Sequence, residues 1–143
     1  MKTWLTIVVL FLVTGCATAP SGASRTPLAA DVGPFSGNWA GTIMSQDMAS
    51  ALGLVEAPAR LTLTEDGRFT LTSSGGTVAT GAARRTHKGL VLDGQVTAGD
   101  PMTVGRNVSF VLTPRGNALY GDGETFYLGH RIDSGMLLGR PPA

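Results

Sequence analysis

Residues 59–73 read "ARLTLTEDGRFTLTS". Ala59, Leu61 and Leu63 alternate with Arg60, Thr62 and Thr64; after "EDG", Phe69 and Leu71 alternate with Arg68, Thr70 and Thr72. A period of two puts the apolar side chains on one face of a strand and the polar ones on the other. Asp66-Gly67 between the two runs is a hairpin turn signal, with Gly67 supplying the positive φ that the turn needs. Two half-buried strands need something to cover their apolar face, so the hairpin implies a larger antiparallel structure.

The rest of the chain supplies it. "TVATGAA" (Thr77–Ala83) follows the turn signal "SSGG". "KGLVLDGQV" offers Leu90 and Leu92, then a second Asp-Gly turn at Asp93-Gly94. "NVSFVLT" (Asn107–Thr113) sets Val108, Phe110 and Leu112 on one face, and "TPRGN" turns into "ALYG". "GDGE" (Gly121–Glu124) reads as a strand-connecting turn, before "ETFYLGH" (Glu124–His130) and "GMLLGR" (Gly135–Arg140) close the chain. Turn signals about every 8–12 residues fit an all-β sandwich or barrel rather than βαβ units. "SQDMASALG" (Ser45–Gly53) is the exception. Ser45 as N-cap, Asp47 in a first turn and Gly53 as a stop predict one short helix or long loop after the first strand. Pro58 allows a strand beyond it but no continued helix.

The N-terminal part reads differently. "MKTWLTIVVLFLVTG" carries one charge, Lys2, and then an apolar run from Trp4 to Val13. At about ten residues the run is too short to span a bilayer and suits the core of a signal peptide. Val13-Thr14-Gly15-Cys16 resembles the lipobox of bacterial lipoproteins. The resemblance implies cleavage before Cys16, lipidation of its thiol, and a chain held at the membrane without a spanning helix. Ala17 after the cysteine implies, by the same resemblance, the outer membrane, with the domain facing the periplasm. Residues 17–34, "ATAPSGASRTPLAADVGP", are small, polar and aperiodic, and read as a tether. The expected organisation is thus a signal peptide at 1–15, a lipidated cysteine and tether at 16–34, and one β domain at 35–143.

Composition narrows the function. Loss of Lys2 with the signal peptide leaves ten basic against ten acidic residues, so a nucleic-acid partner is not expected. Cys16 is the single cysteine, which excludes an internal disulfide and a thiolate metal cluster.

"FSGNWAGT" (Phe35–Thr42) opens the β region and contains Gly37-Asn38-Trp39. A Gly-x-Trp at the head of a first strand, a long first loop and a meander of antiparallel strands resemble the lipocalin-like barrels of the calycin group. The resemblance implies a small up-and-down barrel of about eight strands in which Trp39 closes one end beneath an arginine of the last strand, Arg140, with Arg131 as the second choice. The chain is shorter than a typical lipocalin and lacks its later motifs, so shrunken barrels of envelope lipoproteins are the nearer comparison.

Chemistry-bearing groups are few. His87 and His130 have no metal-ligand spacing, and no G-x-S-x-G elbow is present. Ser109 falls on an outer strand face. No enzyme, metal site or cofactor is expected. Two functions remain. One is a structural or protein-interaction module of the envelope, meeting a protein partner through the segment with Met44, Met48, Leu52, Leu54 and Val55; its solid barrel would leave little interior space. The other is a barrel binding a small apolar ligand or lipid, with Leu61, Leu63, Phe69, Leu71, Leu90, Leu92, Phe110, Leu112 and Phe126 as lining candidates and Val78 as a further inward residue. A cavity of several hundred Å³ favours the ligand; a filled barrel favours the partner.

Overall fold

A computed structural model describes residues 31–45, 55–127 and 130–142. Eight strands form a closed, all-antiparallel barrel in simple sequence order. They are β1 (Gly37–Ser45), β2 (Val55–Leu63), β3 (Arg68–Ser73), β4 (Val78–Thr86), β5 (Gly89–Ala98), β6 (Asn107–Arg115), β7 (Ala118–Tyr127) and β8 (His130–Gly139). β8 pairs with both β7 and β1, which closes the ring and leaves no free edge. This is the up-and-down architecture expected of a lipocalin-like barrel. The helix or loop predicted after the first strand falls on residues 46–54, outside the described residues, as do Met48, Leu52 and Leu54.

The hairpin at 59–73 is present, and its register sets Leu61 opposite Leu71 and Leu63 opposite Phe69 across β2 and β3. Its turn has Gly67 at φ +81°. The two later turn assignments are wrong. Asp93-Gly94 lies inside β5, and Gly121–Glu124 lies inside β7. In β5 the inner-face alternation runs unbroken through Leu90, Leu92, Gly94 and Val96. Asp93 points outward, where it accepts from Ser109 Oγ at 2.6 Å and pairs with Arg84 at 3.3 Å. A side chain at Gly94 would put its Cβ 2.8 Å from Phe69 Cζ, so the glycine is where that ring fits. In β7, Gly123 likewise faces Phe110. Both glycines serve close packing inside the barrel.

Inward residues sort by size along the barrel axis. Around the end where β1 begins they are large: Trp39, Leu61, Leu63, Phe69, Leu90, Leu92, Leu112, Leu119 and Leu138, all at most 3% exposed. Each fully buried side chain of this kind contributes about 1.5–3 kcal/mol, so this half carries most of the hydrophobic stabilisation. The connections at this end, residues 64–67, 87–88 and 116–117, are short.

A short 3-10 turn, Gly33–Phe35, folds across the same end as a plug. Trp39 Nε1 donates to the Phe35 carbonyl at 2.9 Å. Arg140 Cζ lies 4.7 Å from the Trp39 ring centroid, and Arg140 Nη2 donates to the Pro34 carbonyl at 2.8 Å. The last strand thus clamps the plug and the tryptophan together. Arg131 is elsewhere, on the outer face beside Glu124. Val32 is fully buried in the core cluster and Asp31 pairs with Arg85 at 3.3 Å. The packed domain therefore begins upstream of Phe35, and the tether boundary read at residue 34 moves back to at least residue 31.

Candidate functional site: the open half of the barrel

At the opposite end the inward residues are small. Ala57 and Ala79 stand where the other half has leucines, Ser45, Ser73, Thr125 and Ser134 replace apolar groups, and Ile43, Val96, Val108 and Ile132 are the apolar residues of the walls. Two described connections, residues 74–77 and 99–106, rim this end. The same eight strands form the wall at both ends, and smaller inward side chains leave space between them. The result is a cavity of about 280 Å³ above a floor that includes Leu71 and Phe110.

Of the nine lining candidates, Leu71 and Phe110 border this cavity. Leu61, Leu63, Phe69, Leu90, Leu92 and Leu112 are buried in the packed half instead and do not line it. The side chain of Phe126 lies outside the described residues. Val78 is half-buried and does not line the cavity: it pairs with Thr72 on the outer face, and Ala79, opposite Leu71, is the inward residue. Sequence reading selected the largest apolar residues, but those fill the barrel, and space forms where they are absent.

The cavity wall also holds polar groups that sequence reading missed. Ser45 and Ser134 are direct cross-strand partners in the β1–β8 ladder, 7% and 1% exposed, both on the inner face. Asp100 sits in the β5–β6 connection with Thr103. Its main-chain carbonyl accepts from Thr103 N at 2.9 Å and Thr103 Oγ1 at 2.8 Å, and its Oδ1 accepts from Met102 N at 3.0 Å. The connection is tied to the strand ends by Gly105 N to Val96 O at 2.8 Å and Val96 N to Arg106 O at 2.9 Å. Asp100 is therefore held by a closed turn rather than on a loose loop.

His87 is exposed in the β4–β5 turn at the plugged end, remote from the cavity, and Ser109 is on the outer face. Among the described residues no group of three or more His, Cys, Asp or Glu side chains is placed to hold a metal ion. Gly37, Trp39 and Arg140 come together at the plugged end and shape the barrel without reaching the cavity. Cys16 lies outside the described residues.

No protein-family model, curated protein or solved structure matches the chain. The reading of the site rests on its own geometry.

Proposed function

We propose that the chain is a membrane-anchored lipoprotein of the bacterial envelope whose barrel binds one small, largely apolar molecule in its open half. The observation that carries the binding reading is the cavity of about 280 Å³ with its floor of Leu71 and Phe110. A barrel serving only as a scaffold gains nothing by leaving this volume empty, since each unfilled methyl-sized space costs roughly 1 kcal/mol. A dry cavity of about 150 Å³ accepts a benzene ring of six carbons, so in proportion this one suits a molecule of about eleven non-hydrogen atoms. That is a small ligand, at the lower edge of ordinary binding pockets. The lipobox residues Val13, Thr14, Gly15 and Cys16 support the anchor, and Ala17 supports the outer membrane with the domain in the periplasm.

The interaction-module reading retains one support. Met102 and Val104, on the rim connection, are 62% and 46% exposed. Two exposed apolar side chains make a small contact and leave the cavity unexplained.

The test is calorimetry of the full chain in lipid nanodiscs with n-butylbenzene, using empty nanodiscs as the blank. Saturable one-to-one uptake is expected, and replacing Ala79 by Phe to fill the cavity should abolish it. Uptake indistinguishable from the blank would remove the binding reading.

A further inference from the structure

Three buried polar atoms among the described residues have no hydrogen-bond partner: Ser45 Oγ, Ser134 Oγ and Asp100 Oδ2. All three belong to residues lining the same cavity. Buried polar groups without partners are uncommon in folded proteins because desolvation is then uncompensated. Alanine at 45 and 134 would remove the two hydroxyls without disturbing the β1–β8 ladder, which uses main-chain groups alone. The three unpartnered atoms lie at one place, the wall of the cavity.

The groups differ in what they can receive. A carboxylate only accepts hydrogen bonds, while a serine hydroxyl both donates and accepts. Asp100 Oδ1 is already engaged by the Met102 amide, and Oδ2 is left for a donor. Among the described residues lining the cavity there is no lysine, arginine or histidine. A ligand carrying a carboxylate or phosphate would therefore meet Asp100 with no counter-charge from the described wall, at a cost that a low-dielectric site enlarges. A ligand carrying an ammonium group would make a charge-assisted bond to it. In the order of the ring, β1 and β8 stand across from β5, so the serine pair faces Asp100 over the cavity. It suits a neutral polar atom of the same molecule.

We propose that the cavity selects a small amphiphilic amine: an apolar body of about ten carbons resting on Leu71 and Phe110, with its ammonium group held by Asp100 near the mouth. This rests on the binding reading above and adds the class of ligand to it.

The experiment compares three molecules of one shape on the full chain in nanodiscs: n-butylbenzene, 4-phenylbutylamine and 4-phenylbutanoate. The amine should bind roughly 10–100-fold more tightly than the carboxylate, the span of a charge-assisted bond gained against a repulsion. Asp100→Asn, with its fold checked by circular dichroism, should reduce that ratio to within about threefold, since the amide keeps the acceptor for Met102 N but loses the charge. If the Asn variant does not fold, the wild-type ratio still decides. A carboxylate that binds as well as the amine, or a preference that survives in a folded Asp100→Asn, overturns the assignment of ligand class. In that case butylbenzene binding separates the two readings: if it persists, only the ligand class fails; if no probe binds, the binding reading fails with it.

Discussion

Ser134→Ala should make the empty protein more stable. The side chain is 1% exposed and its Oγ has no partner, so the folded state carries a desolvated hydroxyl that water satisfies in the unfolded state. Mutational data place that cost at about 1–3 kcal/mol. Against it stands the loss of one oxygen's packing, small here because the hydroxyl borders a cavity. The net expectation is a gain of about 1 kcal/mol, or roughly 4 °C in Tm for a domain of this size. Ser45→Ala should act similarly, but the two residues are direct partners across β1 and β8, so their effects should not simply add. The assay is thermal unfolding followed by circular dichroism, on protein refolded from denaturant to strip any bound molecule. A structural serine would behave oppositely. If Ser134→Ala lowers stability by more than about 1 kcal/mol, the hydroxyl has a partner in solution and is not held in reserve for a ligand.

Other expectations follow from the plugged end and the anchor. Trp39→Ala should cost about 3–5 kcal/mol by chemical denaturation, the range of large aromatic truncations in a core; a variant of unchanged stability would contradict its place in the plug. A double-mutant cycle of Trp39→Phe with Arg140→Met should give a coupling of about 1 kcal/mol, the scale of a guanidinium on an indole face. Cys16→Ser should release the chain from the membrane fraction on sedimentation, and retention would sink the lipoprotein reading. In the hairpin turn, the hydrogen bond from the Thr64 hydroxyl, followed by contacts with Arg68, holds the Asp66 carboxyl below its ordinary 3.8, so Thr64→Val should raise that pKa in an NMR titration. Because the folded-state pKa is depressed, the stability linked to Asp66 is present at neutral pH and is lost as pH falls through the acid range.

The same dipeptide illustrates what sequence does and does not specify. Asp66-Gly67 turns and Asp93-Gly94 does not, though locally they are alike. Gly94 sits inside a strand because the inner face needs room for the Phe69 ring, a requirement set by a residue two strands away. A sequence signal was present: the alternation Leu90, Leu92, Gly94, Val96 keeps its phase through the dipeptide, whereas a turn would reset it. Leu119, Gly121, Gly123 and Thr125 keep phase through "GDGE" in the same way. The clamp of Arg140 on Trp39 could be anticipated because a closed ring brings the first strand against the last. The serine pair could not. Ser45 and Ser134 are ordinary small polar residues until β8 pairs with β1, and nothing local distinguishes them from Ser73 or Ser109. A cavity was one of the two readings, but its position and most of its lining were not legible, for the related reason that emptiness has no residue type of its own.

The division of the barrel into a packed and an open half also bears on how a ligand would reach it. Val32, Phe35, Trp39 and Arg140 seal the end where the chain enters the barrel, and among the described residues 74–77 and 99–106 rim the other end, above the cavity. The chain reaches Asp31 at the sealed end. On the proposed anchor at Cys16, the segment leading to it would leave the described domain at Asp31, at the end opposite the cavity. A molecule would then arrive from the aqueous side rather than slide in from the bilayer, which favours a ligand soluble enough to travel free. A small amine meets that requirement better than a long-chain lipid, and its charge is the feature that Asp100 can read. The same separation explains how the unpartnered groups are tolerated: the leucine-rich half supplies the stability, so the other half can keep polar atoms in reserve without unfolding the barrel.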